Sequence, residues 1–459
     1  MATVATLAVP LVVVAVVVAL GMSAWSRGDL NRFICDGDCG PSNVIAPAEL
    51  ATASSPSVPA PAEPTGGAID PAKLSAAVSP ELDADVLGSR VGFAAVSPDG
   101  TELMASGSGA YTPASTTKIL TGFAALATMD PATRFSTRVV RAPDGGIVLV
   151  GGGDPYLTDR RPGRAADRVY QADLATLARR TATVLEQAGT TTVTLGYDSS
   201  LFMGPEASPT WEPTYVTQDI VTPVTALWID RGVTDDGRSR DPDAAARAFS
   251  AQLERRGITV QGDPASAAAR PGAEEVAQVR SATLAQIVET LVRVSDNEAA
   301  EVVLRQVAVA AGRDADFDGG VAEVRAALEG AGVDVAGLEL HDGSGLSRAN
   351  RIAPATLVGA LRAATASPRT SGLLADLPVS GFTGTLVSRF AELAEARGEV
   401  RAKTGTLTGI HSLAGYAVDA DGRPVLFAVM ADRTDRDMPF GAQAALDRVA
   451  AAIADCSCG

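Results

Sequence analysis

Ser115 and Lys118 stand three residues apart in Pro113-Ala114-Ser115-Thr116-Thr117-Lys118, at the head of an apolar run through Ile119, Leu120, Phe123 and Leu126. Proline and serine ahead of such a run predict a helix start. A spacing of three puts both side chains on one face of its first turn. A hydroxyl beside an amine is a nucleophile and its base once the lysine is neutral. Burial or nearby positive charge lowers a lysine pKa enough for that role. The backbone N–H groups of the helix start face any charge that develops near Ser115. The chain contains only three lysines, Lys73, Lys118 and Lys403, and arginine carries the rest of its positive charge. Arginine does not serve as a base, so lysine is kept where a compact or deprotonatable cation matters.

Two further motifs follow in order, Ser295-Asp296-Asn297 and Lys403-Thr404-Gly405. The first falls at a junction between two runs of helical spacing, Leu284 to Val294 and Ala299 to Ala310. The second lies in Glu399 to Thr408. His411 to Val418 and Arg423 to Ala431 then alternate like antiparallel strands around an Asp421-Gly422 turn, and Gly441 to Asp455 reads as a closing amphipathic helix. Helices at both ends of this region and three late strands predict an antiparallel sheet packed by helices.

Ahead of it, a short helix through Leu74 and Leu82 and a hairpin from Val91 to Ser106, turning at Ser97-Pro98-Asp99-Gly100, precede the Ser115 helix, which runs to about Met129. Between the first two motifs, Arg138–Arg141, Ile147–Val150, Val193–Tyr197 and Thr225–Asp230 read as strands, Pro242–Arg256 as a helix, and Ala265–Glu275 as a loop. Gly151-Gly152-Gly153-Asp154-Pro155 lacks the Lys-Ser/Thr end of a phosphate loop and reads as a structural turn. His341-Asp342-Gly343-Ser344-Gly345-Leu346-Ser347-Arg348 is a second glycine-rich loop.

The chain has 459 residues and a net charge of −16, which argues against nucleic acid or an anionic membrane surface as the main partner. Residues 2–26 carry no charge, and Leu7 to Leu20 is almost pure Val, Leu and Ala, as in a signal peptide or membrane anchor. An Ala/Pro/Ser-rich stretch follows, as in a disordered linker. The expected organisation is an export or anchor segment over 1–27, a linker over 28–69, a main domain over 70–129 and 276–459, and an inserted domain over 130–275. Cys35, Cys39, Cys456 and Cys458 lie near the ends of the chain. An even count in an exported protein reads as disulfides. The pairing does not follow from the sequence; a bridge tying the two ends is the favoured expectation and a four-cysteine zinc site the alternative. The folded body has no motif of metal-ligand spacing, so neither metal nor other cofactor is expected there. His341 and His411 fit structural roles and give no Ser-His-Asp arrangement.

Ser-x-x-Lys, Ser-Asp-Asn and Lys-Thr-Gly in this order form the signature of serine acyl-transfer enzymes that handle β-lactams and D-alanyl peptides. The chain resembles the class C low-molecular-mass penicillin-binding proteins, which are D-alanyl-D-alanine carboxypeptidases and endopeptidases. The resemblance rests on Pro113–Lys118, Val150–Pro155, Ala226–Gly232, Ser295–Ala300, Asp342–Arg351, Leu377–Leu386 and Arg401–Tyr416, and spans roughly Asp70 to the end. It implies an α/β (α+β) fold: a penicillin-binding transpeptidase or β-lactamase-like domain, an antiparallel sheet flanked by helices, interrupted by an inserted domain. The gap from Lys118 to Ser295 suggests one insertion, with a second one reduced or missing.

The resemblance also implies roles. Ser115 attacks the carbonyl between two D-alanines and Lys118 takes its proton. Ser295 relays a proton to the leaving amine, and Lys403 helps polarise it. Asn297 holds a substrate carbonyl or the Lys118 amine. The N–H groups of Ser115 and Thr406 form an oxyanion hole, and Thr404 and Thr406, on either side of Gly405, bind the terminal carboxylate with Lys403. Peptidoglycan stem peptides are then the substrate, β-lactams are covalent inhibitors, and the protein is exported to the cell envelope, meeting the membrane only through its N-terminal segment. A β-lactamase needs a group such as the Glu of Glu-x-x-Leu-Asn to activate water, and no such pattern lies between Lys118 and Ser295. A non-catalytic wall-binding or β-lactam-sensing protein would not need Ser115, Lys118 and Lys403 together.

Overall fold

The main sheet is built from the two ends of the folded chain. Its strands are β1 (Val91–Val96), β2 (Glu102–Ser106), β8 (Val400–Leu407), β9 (Ile410–Val418) and β10 (Pro424–Ala431), in the order β8-β9-β10-β1-β2, with every pairing antiparallel. The computed structural model describes residues 67–160, 169–234, 237–238 and 242–459. The apolar N-terminal segment, most of the linker, Cys35 and Cys39 lie outside them. Among the described residues no helix is long and apolar enough to cross a membrane.

β10 reads Pro-Val-Leu-Phe-Ala-Val-Met-Ala because both faces of the sheet are covered. Val425, Phe427 and Val429 enter one hydrophobic cluster with helices α1 (Pro71–Leu82) and α9 (Pro439–Ala454). Leu426, Ala428 and Met430 enter the other, with α2 (Thr117–Thr128), α5 (Leu284–Arg293), α6 (Asn297–Ala310), α7 (Phe317–Gly330) and α8 (Pro354–Thr365). A strand buried on both faces loses the polar alternation of a half-exposed one. α2 is the hub: its residues from Thr117 to Leu126 are all buried. A helix apolar all round belongs inside a core.

Residues 136–280 supply a second, mixed sheet. It contains β3 (Ser136–Arg141), β4 (Ile147–Val150), β5 (Leu195–Asp198), β6 (Ala265–Ser266) and β7 (Glu275–Arg280), ordered β6-β5-β4-β3-β7. Its hydrophobic cluster is shared with α3 (Leu174–Gln187) and α4 (Pro242–Glu254). This is the inserted body.

Several expectations change here. Thr225–Asp230 is not a strand but irregular backbone held against the glycine-rich turn, with Gly153 N–H donating to Ala226 O at 2.9 Å. The segment expected as a loop, Ala265–Glu275, begins with β6 and ends at the first residue of β7, because register with Leu195–Asp198 and Ser136–Arg141 gives these short polar stretches their backbone partners. α3, α7 and α8 were not read from the sequence. Ser115 itself lies in a 3₁₀ turn, Ala114–Thr116, that leads into α2. The ends of the folded region do meet, since Asp70 N–H donates to Cys458 O at 2.7 Å. The expected end-to-end bridge is nevertheless replaced by a local one: past the end of α9, Cys456 and Cys458 are paired, with Cα atoms 5.1 Å apart, inside the usual span of a disulfide.

Candidate active site

The Ser115 turn is clamped between the main sheet and two glycine-bearing segments. Ser412 on β9 donates from Oγ to Pro113 O at 2.6 Å, and Thr117 Oγ1 donates to Ala114 O at 2.9 Å. Ala114 is held at φ +49°, in the left-handed region that non-glycine residues seldom occupy. Ser295, which opens the second motif, sits at φ +61°. Strain of this kind persists only where the surroundings over-determine it. Two glycines let the backbones close in. A Cβ on Gly405 would come 2.5 Å from Pro113 O, and one on Gly345, at φ +85°, 1.8 Å from Ala114 O.

The structure brings Ser115, Lys118, Ser295, Asn297 and Lys403 together. Lys118 Nζ lies 3.0 Å from Ser115 Oγ, 2.8 Å from Asn297 Oδ1 and 2.7 Å from Ser344 O. Asn297 is the first residue of α6, and its Nδ2 donates to Ile220 O at 3.1 Å, across to the inserted region. Asp296 caps α6 by accepting from Ala299 N–H at 3.0 Å. Arg231, also from the inserted region, donates to Asp296 Oδ1 at 3.2 Å and Glu298 Oε2 at 2.9 Å. The second motif thus depends on both bodies for its placement.

On the other side, β8 presents Lys403, Thr404, Gly405 and Thr406. Lys403 Nζ donates to Ser295 Oγ at 2.9 Å and to Thr404 O at 2.7 Å. Thr404 Oγ1 donates to Thr385 Oγ1 at 3.0 Å, and Thr406 is exposed. Beside Ser295, Asn297 and Arg231 opens a polar cavity of about 450 Å³.

Both catalytic-type lysines are fully buried, at 0% exposure. Burial pushes Lys118 down to about 8, against the pull of the Glu301, Asp342, Asp296 and Glu298 carboxylates. Burial also pushes Lys403 well below the usual lysine range, and there the neighbouring charges, Lys118 and Arg389, push the same way. A buried amine in this state gives up its proton far more readily than a surface lysine. His411 is hydrogen-bonded through Nδ1 to Thr434 Oγ1 at 2.9 Å, and burial lowers it to about 4.

Sequence reasoning assigned no role to two groups beside Lys118. The Ser344 carbonyl belongs to the glycine-rich loop, and Glu301 is a carboxylate buried at 0% exposure in α6. A carboxylate inside the apolar run Ala299–Ala310 was the available signal, since buried charges need specific partners.

The sequence pattern of the D-Ala-D-Ala carboxypeptidase 3 (S13) family matches residues 74–237 and 236–453. The chain belongs to that family. Membership makes it a serine-type D-Ala-D-Ala carboxypeptidase in a penicillin-binding fold. It is 38% identical over 365 residues to a carboxypeptidase of Mycobacterium tuberculosis, covering 75% of this chain and 76% of the relative. It is 33% identical to the carboxypeptidase DacB of Mycolicibacterium smegmatis, over 76% of each chain. Among solved structures, penicillin-binding protein 4 of Haemophilus influenzae shares the fold with a TM-score of 0.68 at 23% identity, covering 83% of this chain and 98% of that one. The two stretches that match the family model together take in both the main sheet and the second sheet drawn from residues 136–280.

Proposed function

We propose that the protein is a serine DD-peptidase that cleaves D-alanyl-D-alanine-terminated stem peptides of peptidoglycan through an acyl-enzyme, and that β-lactams trap it as a covalent adduct. The observation that carries this reading is the Lys118 amine, buried and pushed down to about 8, at 3.0 Å from Ser115 Oγ. Ser115 Oγ attacks the carbonyl carbon of the peptide bond between the two D-alanines, and its proton passes to neutral Lys118. The backbone N–H groups of Ser115 and Thr406 stabilise the resulting oxyanion; losing one such donor typically costs about 3–4 kcal/mol. Ser295 passes a proton to the departing amine, supported by Lys403 at 2.9 Å. The C–N bond breaks, D-alanine leaves, and an ester to Ser115 remains. Water then attacks the ester, returns the proton to Ser115, and releases the shortened peptide.

Burial and the neighbouring positive charges disfavour the ammonium form of Lys403, and a substrate carboxylate beside Thr404 and Thr406 supplies a counter-charge that favours it. When the leaving amine belongs to a cross-linking residue, the same steps make the enzyme an endopeptidase. The setting is the cell envelope, outside the cytoplasm, reached by export through the apolar N-terminal segment. Residues 70–129 and 276–459 form the catalytic domain of this scheme, and 130–275 the insertion.

The test is incubation with a fluorescent penicillin, followed by product analysis on purified peptidoglycan. A stable adduct with release of D-alanine or of uncross-linked peptides supports the reading. Rapid turnover of the penicillin marks a β-lactamase, and no labelling marks a binding protein.

A further inference from the structure

We propose that Glu301 is a positioning residue for the reaction: it strings the Gly343–Ser344 backbone between α6 and α2 so that the Ser344 carbonyl aims the Lys118 lone pair at Ser115. The proposal rests on the reading of Lys118 as the base. A neutral amine has two hydrogens and one lone pair. Lys118 Nζ has three neighbours: Asn297 Oδ1 at 2.8 Å, Ser344 O at 2.7 Å and Ser115 Oγ at 3.0 Å. The amide oxygen of Asn297 and the carbonyl of Ser344 accept only, so they take the two hydrogens. The lone pair is then left for the Ser115 hydroxyl. Moving either acceptor rotates the lone pair away from the proton it must receive.

Asn297 is fixed by its own bond to Ile220 O. Ser344 is fixed through its loop. Both carboxylate oxygens of Glu301 are used: Oε2 accepts from Gly343 N–H at 3.0 Å and Oε1 from Ser344 N–H at 2.7 Å. The carbonyls of the same two residues point the other way, onto α2, where Gly343 O accepts from Thr121 Oγ1 at 2.7 Å and Ser344 O from Lys118. Asp342 Oδ1 holds the next N–H, that of Gly345, at 3.0 Å. Loop, base and nucleophile turn form one chain of hydrogen bonds that starts at a buried carboxylate.

Glu301 also acts through its charge, which burial and the Asp342 carboxylate confine to pH above about 7, the range in which Lys118 titrates. It heads the carboxylates that hold Lys118 up, followed by Asp342, Asp296 and Glu298. Lys403, from β8, is the charged group on the opposite side, and it is lowered by Lys118 in turn. Arg305, on α6 and buried, feels the Glu301 charge as well. Position and charge give two separate readouts.

The experiment measures the acylation rate by a fluorescent penicillin from about pH 5 to 10, together with NMR titration of [¹³Cε]lysine, for the parent protein and Glu301→Gln. With three lysines in the chain, Lys118 gives one of three resonances. The amide keeps the shape but offers one acceptor where two N–H donors converge, so the plateau rate is expected to fall at least about tenfold. Loss of the negative charge is expected to move the Lys118 titration, and the acid limb of the rate profile, about one unit lower. A plateau within about twofold of the parent overturns the proposal, as does a fallen plateau with an unmoved limb, the mark of a merely structural role. If Glu301→Gln does not fold, Glu301→Asp decides: the shorter carboxylate keeps the charge but reaches at most one N–H, so the plateau falls with the limb in place, and an unchanged plateau overturns the proposal. A parent protein that takes no label at all would instead refute the proposed function.

Discussion

The two walls of the candidate site, one of helices and one of strands, surround their lysines with charges of opposite sign. On the helical wall, Lys118 is buried among carboxylates from α6 and the 342–347 loop and makes three short polar contacts. On the strand wall, Lys403 is equally buried, but its charged neighbours are Lys118 and Arg389. Burial alone lowers both amines. The surrounding charges then separate them: the helical wall moderates the fall and keeps its lysine near the pH at which a base is useful, while the strand wall deepens it and becomes receptive to an anion. Identical side chains acquire different tasks because the field around each differs.

The strongest way to break this comparison is Ser115→Ala. It is expected to abolish both penicillin labelling and D-alanine release, measured by gel fluorescence and product assay. A stable penicilloyl adduct on the variant would place the nucleophile elsewhere. Next, Lys118→Arg keeps a cation but removes the base, so the acylation rate is expected to fall by about 10³-fold or more. Lys403→Arg keeps the charge in a larger planar group and is expected to cost about 10- to 100-fold in acylation, with folding intact by circular dichroism. It should hurt substrates that carry a terminal carboxylate more than their amide analogues; equal losses on both would end the idea that the strand wall serves an anion.

The pH profile sharpens the contrast without mutation. Lys118 must be neutral to accept a proton, and its pKa is lowered from the usual lysine value to about 8. Acylation is therefore expected to rise as pH rises through about 8 and to flatten above it, in stopped-flow measurements with a penicillin. A profile flat down to pH 6 would mean that Lys118 is not the group that titrates. The smallest effect concerns the remote Cys456–Cys458 bridge. Reduction opens only a very short loop, whose closure is worth under about 2 kcal/mol in the chain-entropy model. A slight drop in Tm with unchanged acylation is expected, and loss of acylation would tie the C-terminus to the site.

Much of the site was legible because its chemistry lies in local spacing. Ser115 and Lys118 share a turn, and Ser295 and Asn297 bracket a helix start capped by Asp296. The late strands were legible from their alternation and their turn. The missed elements have other causes. α3 does carry a stripe at helical spacing, Leu174, Leu177, Ala178, Thr181, Ala182 and Leu185, which sequence reasoning overlooked; in α7 the apolar residues are diluted by Ala, Gly and charged residues, and β6 has only two residues, so there neither a stripe nor an alternation stands out. Thr225–Asp230 carries strand-type residues yet stays irregular, because its backbone serves the neighbouring Gly151–Gly153 turn instead of a ladder. The cysteines misled because their position along the chain says nothing about which sulfur is nearest in space.

By itself, the sequence determined the candidate residues, their order and the family, since Ser-x-x-Lys, Ser-Asp-Asn and Lys-Thr-Gly are particular residue types at fixed short spacings. Folding decided what those spacings cannot carry. Lys118 and Ser344 are 226 residues apart, and Lys403 and Ser295 are 108 apart. Their contacts exist because two glycines let the sheet and a loop close onto the nucleophile turn, and because Arg231 and Ile220 of the inserted body hold the second motif from outside. The protonation of the two lysines was decided there too, because a pKa follows from burial and nearby charge, and both are properties of the assembled core.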